Sequence, residues 1–491
     1  MIAIPKSLEI ERISHVLTTS SIHKESLGQY FTPYAIAHFM ASLFPKTKKS
    51  IKLLDPGAGI GILATTFLER VKTEHWDIPR LHITAYEIDF SVYSMLYENI
   101  KIAVNSLPNS GFEVNNSNFL EETSFEYMWN IHQKYTHVIM NPPYKKIPTN
   151  SLARQSARSF GLETVNLYSA FLGASIALTE DEGYIVAIIP RSFCNGLYFK
   201  PFREYILENC SVKQIHLFES RNQAFKDEAI LQENIIIMLQ KNTEQKEVKI
   251  TYSKNVDFSN IETSIVPFSE VLVFDTSDKY FCIPIQKEQN KEIFKETVSL
   301  GQLGIQVSTG PIVDFRVRNY LRKDFSDEAI PLIYPVHLQK YKLDWPKVSK
   351  KPNAIEMSDE IRNQLFPKGY YVVVKRFSSK EEKQRIVASL ITPTDFVKES
   401  IAFENHLNVF HINKSGLPGE IALGLVVWLN TSFIDEKFRL FSGHTQVNAT
   451  DLRNLSYPTY GALLQIGASL MKLDNWSQES FDLIAKEFLY D

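Results

Sequence analysis

Lys52-Leu53-Leu54-Asp55-Pro56-Gly57-Ala58-Gly59-Ile60-Gly61 is the stretch that decides the fold. A short apolar run reads as a buried strand and the glycines as a tight turn. The apolar stretch Ile62 to Val71 then reads as a helix. Strand, glycine turn and helix in that order open a doubly wound α/β unit. The rhythm continues outward from it. Ile83 to Tyr86 reads as a second strand and Ser91 to Ala103 as a helix. Val138 to Met140 is a later strand, and Leu167 to Leu178 a helix. Tyr184 to Ile189 is a strand between Gly183 and Pro190, and Val212 to Phe218 and Ile235 to Leu239 complete the set. Strands separated by helices predict a mostly parallel, doubly wound sheet of the α/β class.

Around Lys241 to Glu247 the sequence turns polar and charged, and beyond it the alternation is lost. Runs such as Tyr370 to Val374 mix with helical stretches such as Ile421 to Leu429. The expected division is a first domain over residues 1–245 and a second, α+β domain over residues 246–491.

Composition narrows the class. With 491 residues, 44% apolar and 22% charged, the chain is long enough for two or three cores and reads as soluble and globular. Its longest apolar runs are too short to span a bilayer, so no membrane partner is expected. The start of the sequence lacks the basic and apolar regions of a signal peptide. Three widely spaced cysteines, Cys194, Cys210 and Cys282, offer neither a disulfide framework nor a metal cluster, which suits a cytoplasmic protein. A net charge of −3 means that any nucleic-acid surface must be a local basic patch. Lys340, Lys342, Lys347, Lys350 and Lys351, followed by Lys375, Arg376, Lys380, Lys383 and Arg385, form one candidate. Tyr341, Trp345, Tyr370, Tyr371 and Phe377 are interleaved with them, and an ordinary solvated face is the competing reading.

Asn141-Pro142-Pro143-Tyr144 carries the chemistry. It stands where the strand Val138 to Met140 ends, and consecutive prolines make a stiff, extended turn there. Such a turn can hold an amide, a carbonyl and an aromatic face in one constellation, as gripping an exocyclic amine on a planar base requires. The glycine loop and Glu87, at the tip of the second strand, suit a bound nucleoside whose ribose hydroxyls the carboxylate accepts. A dinucleotide is the competitor, since a glycine loop alone is weak evidence. Asp55-Pro56 at the loop start favours a ligand with an amino group over one with a pyrophosphate. Hydride transfer also has no use for Asn141 to Tyr144. S-adenosylmethionine satisfies both points.

Taken together, these residues resemble the S-adenosylmethionine-dependent DNA adenine-N6 methyltransferases. Their motif order is that of the gamma class, in which a C-terminal target-recognition domain follows the catalytic one. The resemblance implies roles for particular residues. Gly28-Gln29-Tyr30-Phe31-Thr32-Pro33 is similar to the N-terminal cofactor motif, with Tyr30, Thr32 and Pro33 at the methionine portion. Asp55, Pro56, Gly57, Gly59 and Gly61 match the glycine loop, and Glu87 with Ile88 the ribose-binding segment. Asn118 and Phe119 resemble the segment at the cofactor adenine, where the family usually has aspartate in place of Asn118. Phe171, in Asn166 to Phe171, resembles the phenylalanine that packs on that adenine. Asn141, Pro142, Pro143 and Tyr144 would be catalytic, and Phe225 would supply a second wall for the target base. No metal is implied.

Phe441 to Asn448 and Asp314-Phe315-Arg316 resemble recognition segments of restriction–modification methylases of the PstI type. Within the first, His444, Thr445, Gln446 and Asn448 are candidate base readers or a plain turn. Double-stranded DNA is the implied partner, with a cognate restriction endonuclease acting separately, and a monomer suits methylation of one strand per encounter. Other readings remain: an RNA adenine-N6 methyltransferase, a protein glutamine-N5 methyltransferase, or a non-catalytic DNA-binding subunit. Cytosine-N4 chemistry is similar, but that family tends to carry serine where this chain has Asn141.

Overall fold

The computed structural model describes residues 12–13, 31–218, 233–255, 257–274, 279–283, 297–378, 382–441 and 446–489. The chain divides into two compact units, Met1–Lys287 and Glu288–Asp491.

The first unit is built on a nine-stranded sheet in the order β3-β2-β1-β4-β5-β7-β6-β8-β9. The strands are β1 (Ile51–Pro56), β2 (Leu81–Tyr86), β3 (Ser110–Asn115), β4 (Tyr135–Met140) and β5 (Thr179–Pro190). After them come β6 (Cys210–Phe218), β7 (Asn234–Lys241), β8 (Val248–Ser253) and β9 (Ile261–Val266). The helices are α1 (Tyr34–Ser42), α2 (Ile62–Thr73), α3 (Phe90–Val104), α4 (Phe119–Met128), α5 (Leu152–Ser159), α6 (Leu167–Leu178) and α7 (Lys200–Asn209). From β3 to β5 every neighbour is parallel, and β7 runs antiparallel between β5 and β6. The expected mostly parallel, doubly wound sheet is what forms.

Consecutive residues of the central strands serve opposite faces. Leu54, Val138, Met140, Ile185, Ala187 and Ile189 belong to one core. Leu53, Ile139, Val186 and Ile188 belong to the other. Both faces are covered, which is why these strands read as unbroken apolar runs and not as alternating ones. From β1 the chain winds outward through β2 to β3, then returns to lay β4 on the other side of β1. The crevice at the carboxyl ends of β1 and β4 is therefore the topological switch point, where such sheets take ligands.

The boundary expected at residue 245 is corrected. Lys241 to Glu247 is polar because it connects two strands of one sheet, not two domains. β8 lies parallel to β6, and β9 antiparallel to β8. Within the connection, Gln245 Oε1 accepts from Val212 N at 2.7 Å and its Nε2 donates to Val212 O at 3.0 Å.

The second unit is α+β, as expected. A six-stranded sheet contains Gln306–Thr309, Leu407–His411, Tyr371–Lys375 and Ala388–Ile391 as neighbours. A five-stranded sheet includes Ala329–Ile333 and Ser400–Phe403. Against the larger sheet packs the buried helix Gly419–Leu429. The helix Tyr460–Leu470 crosses it so closely that a Cβ on Gly424 would collide with the Leu463 carbonyl, and one on Gly467 with that of Glu420.

Candidate functional site

At the end of β1 the chain turns through Gly57 (φ 75°) and Gly59 (φ 57°), backbone conformations that a side chain would strain. Gly57 N and Ala58 N both donate to Tyr86 O, at 2.9 and 2.8 Å, which ties the loop to the tip of β2. A Cβ on Gly57 would lie 3.6 Å from Phe171 and one on Gly59 3.0 Å from Phe31, so this backbone forms a bare wall between two aromatic rings.

Glu87 holds the turn from beneath. Its carboxylate accepts from Gly59 N at 2.7 Å and from Asp89 N at 2.8 Å. Burial raises its pKa, against the pull of these backbone donors. Asp55 is fully buried. Its Oδ2 accepts from Ala64 N at 3.2 Å, in the first turn of α2, a capping role that Gly61 at the helix start cannot fill. Burial, with the nearby Glu87 charge adding to it, raises the Asp55 pKa to about 8.

From β4, next to β1, Asn141 Nδ2 donates to Thr32 Oγ1 at 3.0 Å, and both residues are buried. Thr32 is held just before α1, where Pro33 in extended conformation leads into the helix. After Tyr144 the chain doubles back. Ile147 N donates to Val165 O at 2.9 Å and Leu167 N to Lys145 O at 2.7 Å. This locks the segment after the prolines to the start of α6, the helix that carries Phe171. The Phe171 ring packs 5.2 Å from Phe119, which packs 5.3 Å from Tyr86.

These elements enclose a cleft of about 300 Å³, within the range of small-molecule sites. Of the residues singled out in the sequence, it brings together Thr32, Gly57, Gly59, Glu87, Ile88, Asn118, Phe119, Asn141, Pro143 and Phe171. Asp55, Pro56 and Gly61 stand behind this wall, and Pro33 and Pro142 are likewise not part of it. Asn118 caps α4 through Leu120 N at 3.2 Å while its amide donates to Glu121 at 2.7 Å, so a capping role accounts for its position. Tyr144 is turned toward β5, with its hydroxyl on Ile188 O at 3.1 Å and its ring edge-on to Tyr168 at 6.3 Å. Tyr30 and Phe225 lie outside the described residues. Phe31, Lys145, Lys146, Ile147, Pro148 and Leu167 also line the cleft and were not singled out. The sequence signal was at hand for four of them, since Lys145 to Pro148 directly follow Tyr144.

The basic run in the second unit is not uniformly exposed and unpaired. Arg385 is buried, Lys347 pairs with Asp344 at 2.7 Å, and Lys351 pairs with Asp314 at 2.8 Å. Asn448 is a turn residue: its backbone N and its amide both donate to Asp451 Oδ2 at the start of a helix, at 2.8 and 3.2 Å. His444 and Thr445 lie outside the described residues.

Residues 5–225 match the family model described as Eco57I restriction-modification methylase. Two relatives match almost from end to end. The type II methyltransferase M.BsuBI of Bacillus subtilis is 44% identical over 478 residues, 95% of each chain. M.PstI of Providencia stuartii is 38% identical over 481 residues, 95% of this chain and 93% of that one. Among solved structures, the cryoEM structure of a DrdV–DNA complex is similar in fold over 96% of this chain and 59% of that one, with a TM-score of 0.51 at 15% identity. The chain belongs to the type II methyltransferase family that includes M.BsuBI and M.PstI.

Proposed function

We propose that the protein is a site-specific DNA methyltransferase that transfers the methyl group of S-adenosylmethionine to the N6 amine of an adenine flipped out of a duplex. The observation that carries this reading is the Thr32–Asn141 hydrogen bond of 3.0 Å at the edge of the glycine-loop cleft. It sets an amide of fixed orientation beside a site shaped for a nucleoside.

The cleft fits that cofactor in two respects. Glu87 is a carboxylate placed for a ribose diol. Ile88, Phe119 and Phe171 offer apolar faces to an adenine. When bound, the cofactor supplies a methyl group already activated by a sulfonium.

The residues of the chain do the rest. An amine inside a duplex is out of reach, so the base must leave the stack. Its lone pair is delocalised into the ring and nucleophilically weak. Asn141 Oδ1 and the Pro142 carbonyl accept the two amine hydrogens and draw the nitrogen toward tetrahedral geometry, freeing the lone pair for in-line attack. Tyr144 provides the stacking face. Stacking of this kind contributes roughly 1–3 kcal/mol per base. A new N–C bond forms, the S–C bond breaks, and the amine proton passes to solvent afterwards. Placement and electrostatics suffice, without a strong base. The second unit would read the target sequence, and a separate cognate endonuclease would cut the same sequence when unmethylated. A monomer in the cytoplasm suits this role.

The test is expression in a methylation-free bacterial host, with modified bases mapped on host DNA by single-molecule sequencing and Asn141→Ala as control. N6-methyladenine confined to one short motif, and absent in the control, supports the proposal. N4-methylcytosine would move the acceptor to another base. A well-expressed soluble protein that leaves no modified base would refute a DNA substrate.

A further inference from the structure

Three neighbouring strands of the second unit end on one side of the six-stranded sheet. Thr309 pairs with Asn408, and Lys375 with Leu407, so the loops after Gln306–Thr309, before Leu407–His411 and after Tyr371–Lys375 emerge together. Gln446 joins them through a bridge to Phe377. At this end Glu404 is fully buried, yet its carboxylate serves a histidine that is 40% exposed. It accepts from His406 N at 2.9 Å and meets His406 Nδ1 at 2.5 Å. Burying a carboxylate is costly, and orienting an exposed ring does nothing for packing. The His406 ring is backed by Phe377 at 5.3 Å. Arg376 straps the same loop by donating to His406 O and Asn405 O at 2.9 and 2.8 Å.

The surroundings fit a polyanion with a readable edge. Phe315 is 72% and Phe377 54% exposed, an unfavourable arrangement for an uncovered surface. Arg316 lies 5.6 Å over the Phe315 ring and pairs with no carboxylate among the described residues. The acids of this face are already engaged, Asp314 by Lys351 and Glu404 by His406.

We propose that this end of the sheet is the surface of the second unit that reads duplex DNA, with His406 as a specificity-determining residue oriented by Glu404 and with Arg316 on the phosphate backbone. The inference rests on the DNA-methyltransferase reading above. With Nδ1 turned to the carboxylate, Nε2 is the ring nitrogen left for a base edge, and in the neutral tautomer that carries its proton on Nδ1 it is an acceptor. It suits the exocyclic amine of adenine or cytosine in the major groove. Arg316, preorganised on an aromatic face, neutralises a phosphate.

The test uses the full-length protein after the wild-type target sequence has been mapped. Methylation of the cognate duplex is compared with that of duplexes changed at one base pair, for wild type, His406→Ala and Arg316→Ala, with thermal melting as the check on folding. For His406→Ala the expected result is a roughly ten- to hundredfold loss of kcat/KM on the cognate duplex, with relaxed discrimination at one base pair only. For Arg316→Ala the expected result is a uniform loss across sequences and a shallower salt dependence by about one phosphate contact. If wild type methylates DNA and both folded variants keep its affinity and discrimination, this face is not the reader. A His406→Ala variant that melts early passes the decision to Arg316→Ala, which lies on an exposed loop. If wild type methylates no DNA, it is the functional reading that fails.

Discussion

Thr32 and Asn141, 109 residues apart in the sequence, share a hydrogen bond of 3.0 Å in which the asparagine amide donates to the threonine hydroxyl. With Nδ2 on the threonine hydroxyl, Oδ1 is the end of the Asn141 amide left to accept, and for chemistry on an amine that end is the one that counts. Thr32→Val should leave the fold intact and lower kcat about tenfold, as expected for one neutral hydrogen bond. Asn141→Ala should cost roughly 10²–10³ in kcat, as for loss of a transition-state contact. Single-turnover methylation of mapped duplexes measures both. Equal, small effects would mean that the pair is structural.

Glu87 carries the second expectation. Its two oxygens hold the backbone of Gly59 and Asp89, and the same carboxylate faces the cleft. Glu87→Gln should weaken S-adenosylmethionine binding roughly tenfold or more, since hydrogen bonds to a charged group contribute about 1.5–3 kcal/mol. Calorimetric titration decides it, and unchanged affinity would remove Glu87 from the cofactor site.

Asp55 makes a prediction about pH. Its folded-state pKa is about 8 against an ordinary 3.8, so the folded protein keeps a proton that the unfolded chain has already released. The stabilisation is complete below the ordinary value and is lost as pH rises toward about 8. Ligand-free protein should therefore lose stability between about pH 5 and pH 8, and Asp55→Asn should flatten that slope. Urea unfolding across the range measures it. An Asp55→Asn slope equal to that of wild type would show that the carboxyl titrates normally.

In the second unit, Gly467 allows the helix Tyr460–Leu470 to lie against the Glu420 carbonyl. Gly467→Ala should force the helices apart and destabilise the unit by about 1–3 kcal/mol, the usual result of overpacking. A lower urea midpoint would show it. An unchanged midpoint would mean that the helix pair adapts.

How much of this could be read in advance varies from residue to residue. Asp55 to Gly61 and Asn141 to Tyr144 were legible because glycines and consecutive prolines restrict the backbone wherever they occur. The strands around them were legible because burial on both faces demands unbroken apolar runs. The polar stretch Lys241 to Glu247 misled for a related reason. A connection between strands of one sheet carries the same composition as a linker, and only the pairing of β6 with β8 tells them apart. Asn118 and Asn448 were equally ambiguous, because the side chains that read ligands are those that cap helices.

By itself, the sequence determined the α/β class and the loop and turn of the candidate site, since these follow from local backbone limits and the period of apolar residues. Tertiary structure decided what those limits cannot reach. It placed Asp55 behind the cleft wall and not in it, brought Lys145 to Pro148 round to α6, and buried Glu404 beneath His406. Each of these depends on which distant segments meet, and such meetings are set by the winding of the sheet and the packing of its faces, not by any short stretch of residues.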